Sequence, residues 1–183
     1  MRVISGKARG KRIVTLEGTD TRPTLDRVKE ALFSKIQFEL PDAEVLDLFA
    51  GSGALGIEAL SRDAKRAIFC DSNYKAANII KQNIENCKFE DSAIVINKDY
   101  LKALESLKNN QFDIIFLDPP YKTDFALISL EKIVEYNLIK DEGTIIVETN
   151  DGNKQNKIAD IEGIEITDIR KYGNVILIFI RKG

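Results

Sequence analysis

Three stretches of the chain hold residue types that could do chemistry together. Asp47-Leu48-Phe49-Ala50-Gly51-Ser52-Gly53-Ala54-Leu55-Gly56 sets three glycines behind a carboxylate, Asp71 and Asp99 each close an apolar run, and Asp118-Pro119-Pro120-Tyr121 follows another. Glycines in a strand-to-helix turn let the backbone bend sharply and approach a ligand, while unsatisfied N–H groups at the new helix start face the same crevice. Such a loop suits a nucleotide-like cofactor. Asp71, twenty residues after Gly51, is placed to accept both hydroxyls of a ribose, and Asp99 to meet an adenine amino group. The cofactor-binding candidates are therefore Asp47, Phe49, Gly51, Ser52, Gly53, Asp71 and Asp99.

Glycines at 51, 53 and 56 also fit a dinucleotide fingerprint, and a bare strand-to-helix turn needs no ligand. Asp47 separates the first alternative, because a carboxylate beside the pocket disfavours a pyrophosphate but suits the cationic amino-acid end of S-adenosylmethionine. The proline corner carries the reaction. Two successive prolines remove two N–H donors and hold the chain extended, so the corner presents carbonyls. The exocyclic amine of a base is a poor nucleophile because its lone pair is conjugated with the ring. The Asp118 carboxylate and Pro119 carbonyl could hold both amino hydrogens and aim that lone pair at an electrophilic methyl, with Tyr121 stacking on an extruded base. Asp118, Pro119, Pro120 and Tyr121 are the catalytic candidates; the plainer alternative is a polar turn with a packed tyrosine.

The elements that must position these residues alternate. Strands are expected at Glu44–Phe49, Arg66–Cys70, Ala93–Asn97, Phe112–Leu117 and Thr144–Glu148, with Ala76, Ile80, Ile84 and Cys87 and then Leu127, Leu130, Ile133 and Val134 recurring at helical spacing between them. Near-continuous apolar strands are covered on both faces, which predicts a parallel sheet of βαβ units. Ile164–Tyr172 and Val175–Arg181, separated by Gly173-Asn174, read as an antiparallel hairpin that makes the sheet mixed. At the front, Arg2–Ser5 and Lys11–Leu16 are expected to form a short hairpin. A helix should follow from near Thr24, its N-cap, with Leu25, Val28, Leu32, Ile36 and Leu40 on the apolar face.

The chain has 183 residues and a hydrophobic fraction of 44%, enough for one ordinary core and too apolar for long disorder. Histidine is absent, which excludes an imidazole base, a Ser-His-Asp triad and a histidine zinc site. Cys70 and Cys87 sit in apolar-periodic segments and read as buried free thiols, so no metal is expected. After Met1 no apolar signal core follows, and the longest apolar stretch is the six residues Val175–Ile180, so a cytoplasmic protein is expected. Charge is uneven. The first thirty residues carry eight basic and four acidic side chains, a net +4, against −6 on the remainder, which suggests an arm that seeks an anion such as nucleic acid. Arg9, Lys11 and Arg12 should form one positive patch for phosphates, with Arg22 and Arg27 flanking the same groove, unless they are merely a solvated face.

With these residues in view, the chain resembles the class I S-adenosylmethionine-dependent methyltransferases, and more closely the RsmD family of small-subunit ribosomal RNA guanine-N2 methyltransferases. The carrying stretches are Arg2-Val3-Ile4-Ser5-Gly6 with Arg9-Gly10, Arg22-Pro23-Thr24 with Asp26 to Phe33, Asp47 to Arg62, Asp118 to Tyr121, and Tyr172-Gly173. Of these, the Arg-Pro-Thr to Phe33 segment is the most particular to that family. The resemblance implies a Rossmann-like α/β fold with a seven-stranded mixed sheet, an antiparallel C-terminal strand and helices on both faces. It also implies methyl transfer to the N2 amine of one guanine in 16S ribosomal RNA, with the assembled or assembling 30S subunit as substrate. One methyltransferase domain is expected over 1–183, with a basic arm at 1–23 and the catalytic core at 24–183, acting as a monomer. Rival readings are a methyltransferase for adenine-N6 or DNA, a nicotinamide oxidoreductase, and a non-catalytic RNA-binding assembly factor. Glu148 and Tyr172 read as structural.

Overall fold

A run of aliphatic residues buried on both faces sets the architecture. In Phe112–Leu117, Ile114, Ile115, Phe116 and Leu117 are all at most 1% exposed, so this strand lies mid-sheet with helices on either side. The computed structural model describes residues 1–16 and 23–183, side chains at 23–25 excepted. Arg22, and the N-cap expected of Thr24, therefore lie outside the described residues, as does the side chain of Leu25. The element order is α1 (Pro23–Lys35), β1 (Glu44–Asp47), α2 (Ala54–Ser61), β2 (Arg66–Cys70), α3 (Tyr74–Cys87), β3 (Ala93–Ile96), α4 (Tyr100–Ser106), β4 (Phe112–Leu117), α5 (Phe125–Glu135), β5 (Ile139–Thr149), α6 (Lys154–Ala159), β6 (Ile164–Tyr172) and β7 (Val175–Lys182).

The seven strands form one sheet in the order β3-β2-β1-β4-β5-β7-β6. All pairs from β3 to β5 are parallel, and β7 is antiparallel to both β5 and β6. Alternation along each strand sorts side chains into two cores. Val45, Phe69, Ile114 and Phe116 pack beneath α1, α2 and α3, whereas Leu46, Ile68, Ile115 and Leu117 pack beneath α4, α5 and α6. Strand order reverses between β1 and β4, and a crevice opens at their carboxyl ends, where ligands bind in sheets of this kind.

Two strands differ in extent from expectation. β1 stops at Asp47, because Leu48 and Phe49 already belong to the glycine turn, although the Leu48 amide still donates to Phe116 O at 3.2 Å. β5 begins five residues early, at Ile139, which pairs with Phe112 before the register shifts to Ile114 and Thr144. The polar Lys140-Asp141-Glu142 interrupts the apolar pattern there, and Gly143 lets the backbone pass Ile139, whose side chain a Cβ would meet at 2.6 Å.

The N-terminal arm departs most from a free hairpin. Among the described residues one antiparallel bridge, Arg2 to Arg12, crosses it, closed by Val3 N to Lys11 O and Ile13 N to Met1 O, and Gly6 and Gly10 interrupt the strands with φ near 81° and 82°. It is docked on the body instead, burying Val3, Ala8 and Ile13. A Cβ at Gly6 would stand 1.7 Å from Ser61 O, so only glycine permits that approach. Buried polar side chains hold the arm. Glu58 accepts from the amides of Ile4 and Ser5 (2.8 and 3.0 Å), Ser61 Oγ accepts from Ala8 N and donates to Ser5 O, and Asn83 brackets Val14 N and O (2.9 and 2.8 Å). Glu58 also pairs with Lys29 and Arg62, and Lys29 Nζ donates to Arg2 O at 2.8 Å.

Glu58 is fully buried and Lys29 is 5% exposed. Replacing Glu58 by Ala leaves a buried ammonium short of its partner, so Glu58→Ala is expected to cost about 3–5 kcal/mol. Urea unfolding measures that loss, and limited proteolysis should find the arm cut first.

Candidate active site

The glycine loop runs from the end of β1 to the start of α2, and two carboxylates hold it in shape. Asp47 Oδ2 accepts from Gly56 N at 3.1 Å, tying the strand end to the helix start. Asp71 Oδ2 accepts from Gly51 N at 2.9 Å and its Oδ1 from Asn73 N at 2.8 Å, leaving each oxygen a further lone pair. Gly51 and Gly53 adopt φ of 55° and 78°, where side chains are strained. Asn83 Nδ2 also donates to Ser52 O at 2.9 Å, so one side chain fastens both the arm and the loop.

Two cavities meet at this edge. The larger, about 430 Å³, is bordered by Asp71 and Asp99, by the rings of Phe49, Tyr100 and Phe125, and by Asp118 to Tyr121. Its rings form one cluster, with centroids 4.7 Å apart for Tyr100 and Phe125 and 5.5 Å for Phe49 and Tyr100. Asp99 caps α4 by accepting from Leu101 N at 3.0 Å. The smaller cavity, about 180 Å³, is bordered by Met1, Lys29, Asp47, Gly51 and Glu148. Phe49 and Asp118 line both.

Like charges crowd the junction. Burial, opposed by the Gly56 amide and reinforced by Asp71, pushes Asp47 up to about 7. Burial, then Glu148 and Asp47, hold Asp118 well above the usual carboxylate range. The Asp118 side chain has no hydrogen-bond partner among the described residues, and Pro119 O likewise accepts none. Tyr121 Oη donates to Glu148 Oε1 at 2.8 Å. Burial raises Glu148 despite that bond, and burial together with Glu148 raises the Tyr121 phenol. Beyond the corner, the buried Lys154 donates to Tyr121 O and Thr123 O at 3.1 and 2.8 Å, so an ammonium with no carboxylate partner among the described residues pins the segment after the prolines. Among the described residues no group of three or more His, Cys, Asp and Glu side chains is placed to hold a metal, and no helix is long and apolar enough to cross a membrane.

The structure thus brings Asp47, Phe49, Gly51, Ser52, Asp71, Asp99, Asp118, Pro119, Pro120 and Tyr121 onto the walls of the two adjoining cavities. Gly53 stands behind them. Its N–H is already bonded to Ala50 O, and its missing Cβ would face Ile80 and Phe69. Cys70 is core, its thiol pushed up to about 12 chiefly by burial. Arg9, Lys11, Arg12 and Arg27 are exposed, with Arg12 opposite Arg2, and the arm's Met1 reaches the smaller cavity. Sequence reasoning passed over Lys29, Tyr100, Phe125 and Lys154, and Glu148, read as structural, borders the smaller cavity and accepts from the Tyr121 hydroxyl. Glu148 follows Val147, which pairs with Leu117, just as Asp118 follows Leu117; only strand adjacency exposes the relation.

The donor set tests which cofactor fits. Two acids with spare lone pairs, an aromatic wall and a half-buried carboxyl on one cavity match a nucleoside joined to a cationic group, whereas Asp71, Asp99 and Asp118 against Lys98 alone would repel a pyrophosphate. Strand order, loop and acids together define the fold of a class I S-adenosylmethionine-dependent methyltransferase. The family model described as conserved hypothetical protein 95 matches residues 1–181, and the chain belongs to that family, the RsmD family. The chain is similar to YlbH of Bacillus subtilis, 42% identical over 81% of this chain and 82% of that protein. It is similar also to ribosomal RNA small subunit methyltransferase D of Haemophilus influenzae, 40% identical over 81% and 78%. The solved structure of yhhF from Escherichia coli superposes with a TM-score of 0.86 at 28% identity, covering 100% of this chain and 97% of that one.

The Asp47 value has a signed consequence. Below about 7 the carboxyl is neutral and above it charged, so a cationic ligand seated against it binds more tightly as pH rises. Calorimetric affinity for S-adenosylmethionine is expected to increase severalfold from pH about 6 to about 8, with proton release on binding, and Asp47→Asn should flatten the dependence.

Proposed function

We propose that this protein transfers a methyl group from S-adenosylmethionine to the exocyclic N2 amine of a guanine in 16S ribosomal RNA, working in the cytoplasm on the assembled or assembling 30S subunit. The relative from Haemophilus influenzae, named as a ribosomal RNA small subunit methyltransferase, supports ribosomal RNA as the substrate class. The observation that carries the chemistry is the Asp118 carboxyl, without a hydrogen-bond partner among the described residues and common to both cavities. One cavity suits the nucleoside and the other lies within reach of the same carboxyl, so a donor and an acceptor can meet there.

The cofactor supplies an electrophilic methyl on a sulfonium, which departs as a neutral thioether. The chain's own groups do the positioning. Asp118 and Pro119 O take the two amino hydrogens, directing the nitrogen lone pair along the line of attack. As the nitrogen–carbon bond forms the amine must shed a proton, and Asp118, given a raised proton affinity by burial and by Glu148 and Asp47, receives it. Asp71 and Asp99 hold the ribose and adenine, Asp47 the amino group, and the Gly51 to Gly53 loop the backbone contacts. Tyr121, steadied by Glu148, stacks on the base. The exposed Arg9, Lys11, Arg12 and Arg27, with Arg22, grip phosphates; the 1–23 arm and the 24–183 core act as one monomeric domain, with no metal.

Transfer of radiolabelled methyl to small subunits, naked 16S RNA and duplex DNA tests this reading. Label is expected on guanine N2 of the ribosomal substrate, and Asp118→Ala should reduce turnover about a thousandfold while leaving cofactor affinity nearly unchanged. Label on DNA alone would favour a DNA methyltransferase, and label on nothing a scaffold. Removing the charges of Arg9, Lys11 and Arg12 together should weaken RNA binding and make its salt slope shallower by about two to three; an unchanged slope would place the phosphate grip elsewhere.

A further inference from the structure

Glu148 is built into the site in a way that turn chemistry and packing do not require. It is the penultimate residue of β5, beside the Asp118 corner, lines the smaller cavity with Asp118 and Asp47, and commits one oxygen, Oε1, to a bond from the Tyr121 hydroxyl. Its other oxygen has no partner among the described residues. Two carboxyls with free acceptor positions therefore border one small cavity, one of them at the corner that holds the amine.

Among the amino-bearing bases, guanine alone has a ring N–H next to its exocyclic amine. In adenine and cytosine the ring nitrogen beside the amine is an acceptor, which a neighbouring carboxylate repels. Resting on the guanine reading above, we infer that Glu148 is the residue that selects guanine, its free oxygen accepting from N1–H while Asp118 and Pro119 hold N2. Tyr121 serves this arrangement by bonding to Oε1, which fixes the plane of the carboxylate and leaves Oε2 the more open oxygen for the base. Selection of this kind is strong, because a base lacking the N–H leaves one oxygen of a half-buried carboxylate without a donor.

The test uses 2-aminopurine, which keeps the C2 amine but has an acceptor at N1. Once the methylated position is mapped, small subunits are rebuilt around 16S RNA carrying either guanine or 2-aminopurine there, and kcat/KM is measured for wild type and Glu148→Gln. Wild type is expected to prefer guanine at least about a hundredfold. In Glu148→Gln, whose carboxamide can donate to the N1 acceptor, the preference should shrink at least about tenfold, with retained binding of S-adenosylmethionine and an unchanged circular-dichroism spectrum as the check that the fold and cofactor site survive. The fluorescence of 2-aminopurine reports its seating in both proteins independently of turnover. An equal guanine preference in the two proteins overturns the role of Glu148 while leaving guanine methylation standing. Wild-type label confined to a base other than guanine overturns both.

Discussion

Three carboxyl groups at the ends of three adjacent parallel strands constrain everything near them. Asp47, Asp118 and Glu148 stand at the carboxyl ends of β1, β4 and β5, and the sheet brings them to one edge, Asp47 buried and the other two half-buried. Each charge there costs free energy unless something cationic or donating meets it. The fold meets only part of the demand, with the Gly56 amide on Asp47 and the Tyr121 hydroxyl on Glu148, and leaves Asp118 without a partner among the described residues. A site so arranged has affinity for a sulfonium, an ammonium and an amine with hydrogens to donate.

Such a crowd of acids holds together only because its frame is stiff. Asp71 and Asn83 clamp the glycine loop from opposite sides, and Lys154 holds the segment after the prolines by two carbonyls. The corner cannot relax toward helix, since residues before proline avoid those angles. On the proposed reading this stiffness is most of the catalysis: the protein contributes no nucleophile, only alignment and electrostatic complementarity to a reaction whose electrophile arrives with the cofactor.

The N-terminal arm joins this frame more closely than its basic composition suggests. Glu58, Ser61 and Asn83 satisfy its backbone amides and carbonyls, so the arm is part of the folded body and Met1 borders the smaller cavity. Its exposed arginines and lysine are thereby held in a fixed relation to the site.

Much of this was legible from residue types alone. The glycine loop, the acids at the carboxyl ends of β1, β2 and β3, the proline corner and the Gly173-Asn174 hairpin are local signals, each set by backbone geometry within a few residues, and they determined the class of fold and ten of the cavity-lining positions. Tertiary structure alone decided the rest. Glu148 is an ordinary acid in an ordinary strand until β5 is known to lie beside β4; Lys29 and Lys154 are surface-type residues until the backbone atoms they serve surround them. Gly53 matched the cofactor pattern yet faces Phe69 and Ile80, because the direction in which a missing Cβ points depends on the turn of the chain rather than on spacing. Local sequence specifies local conformation, while burial, charge coupling and the pairing of distant carbonyls arise only when separate segments are packed against one another.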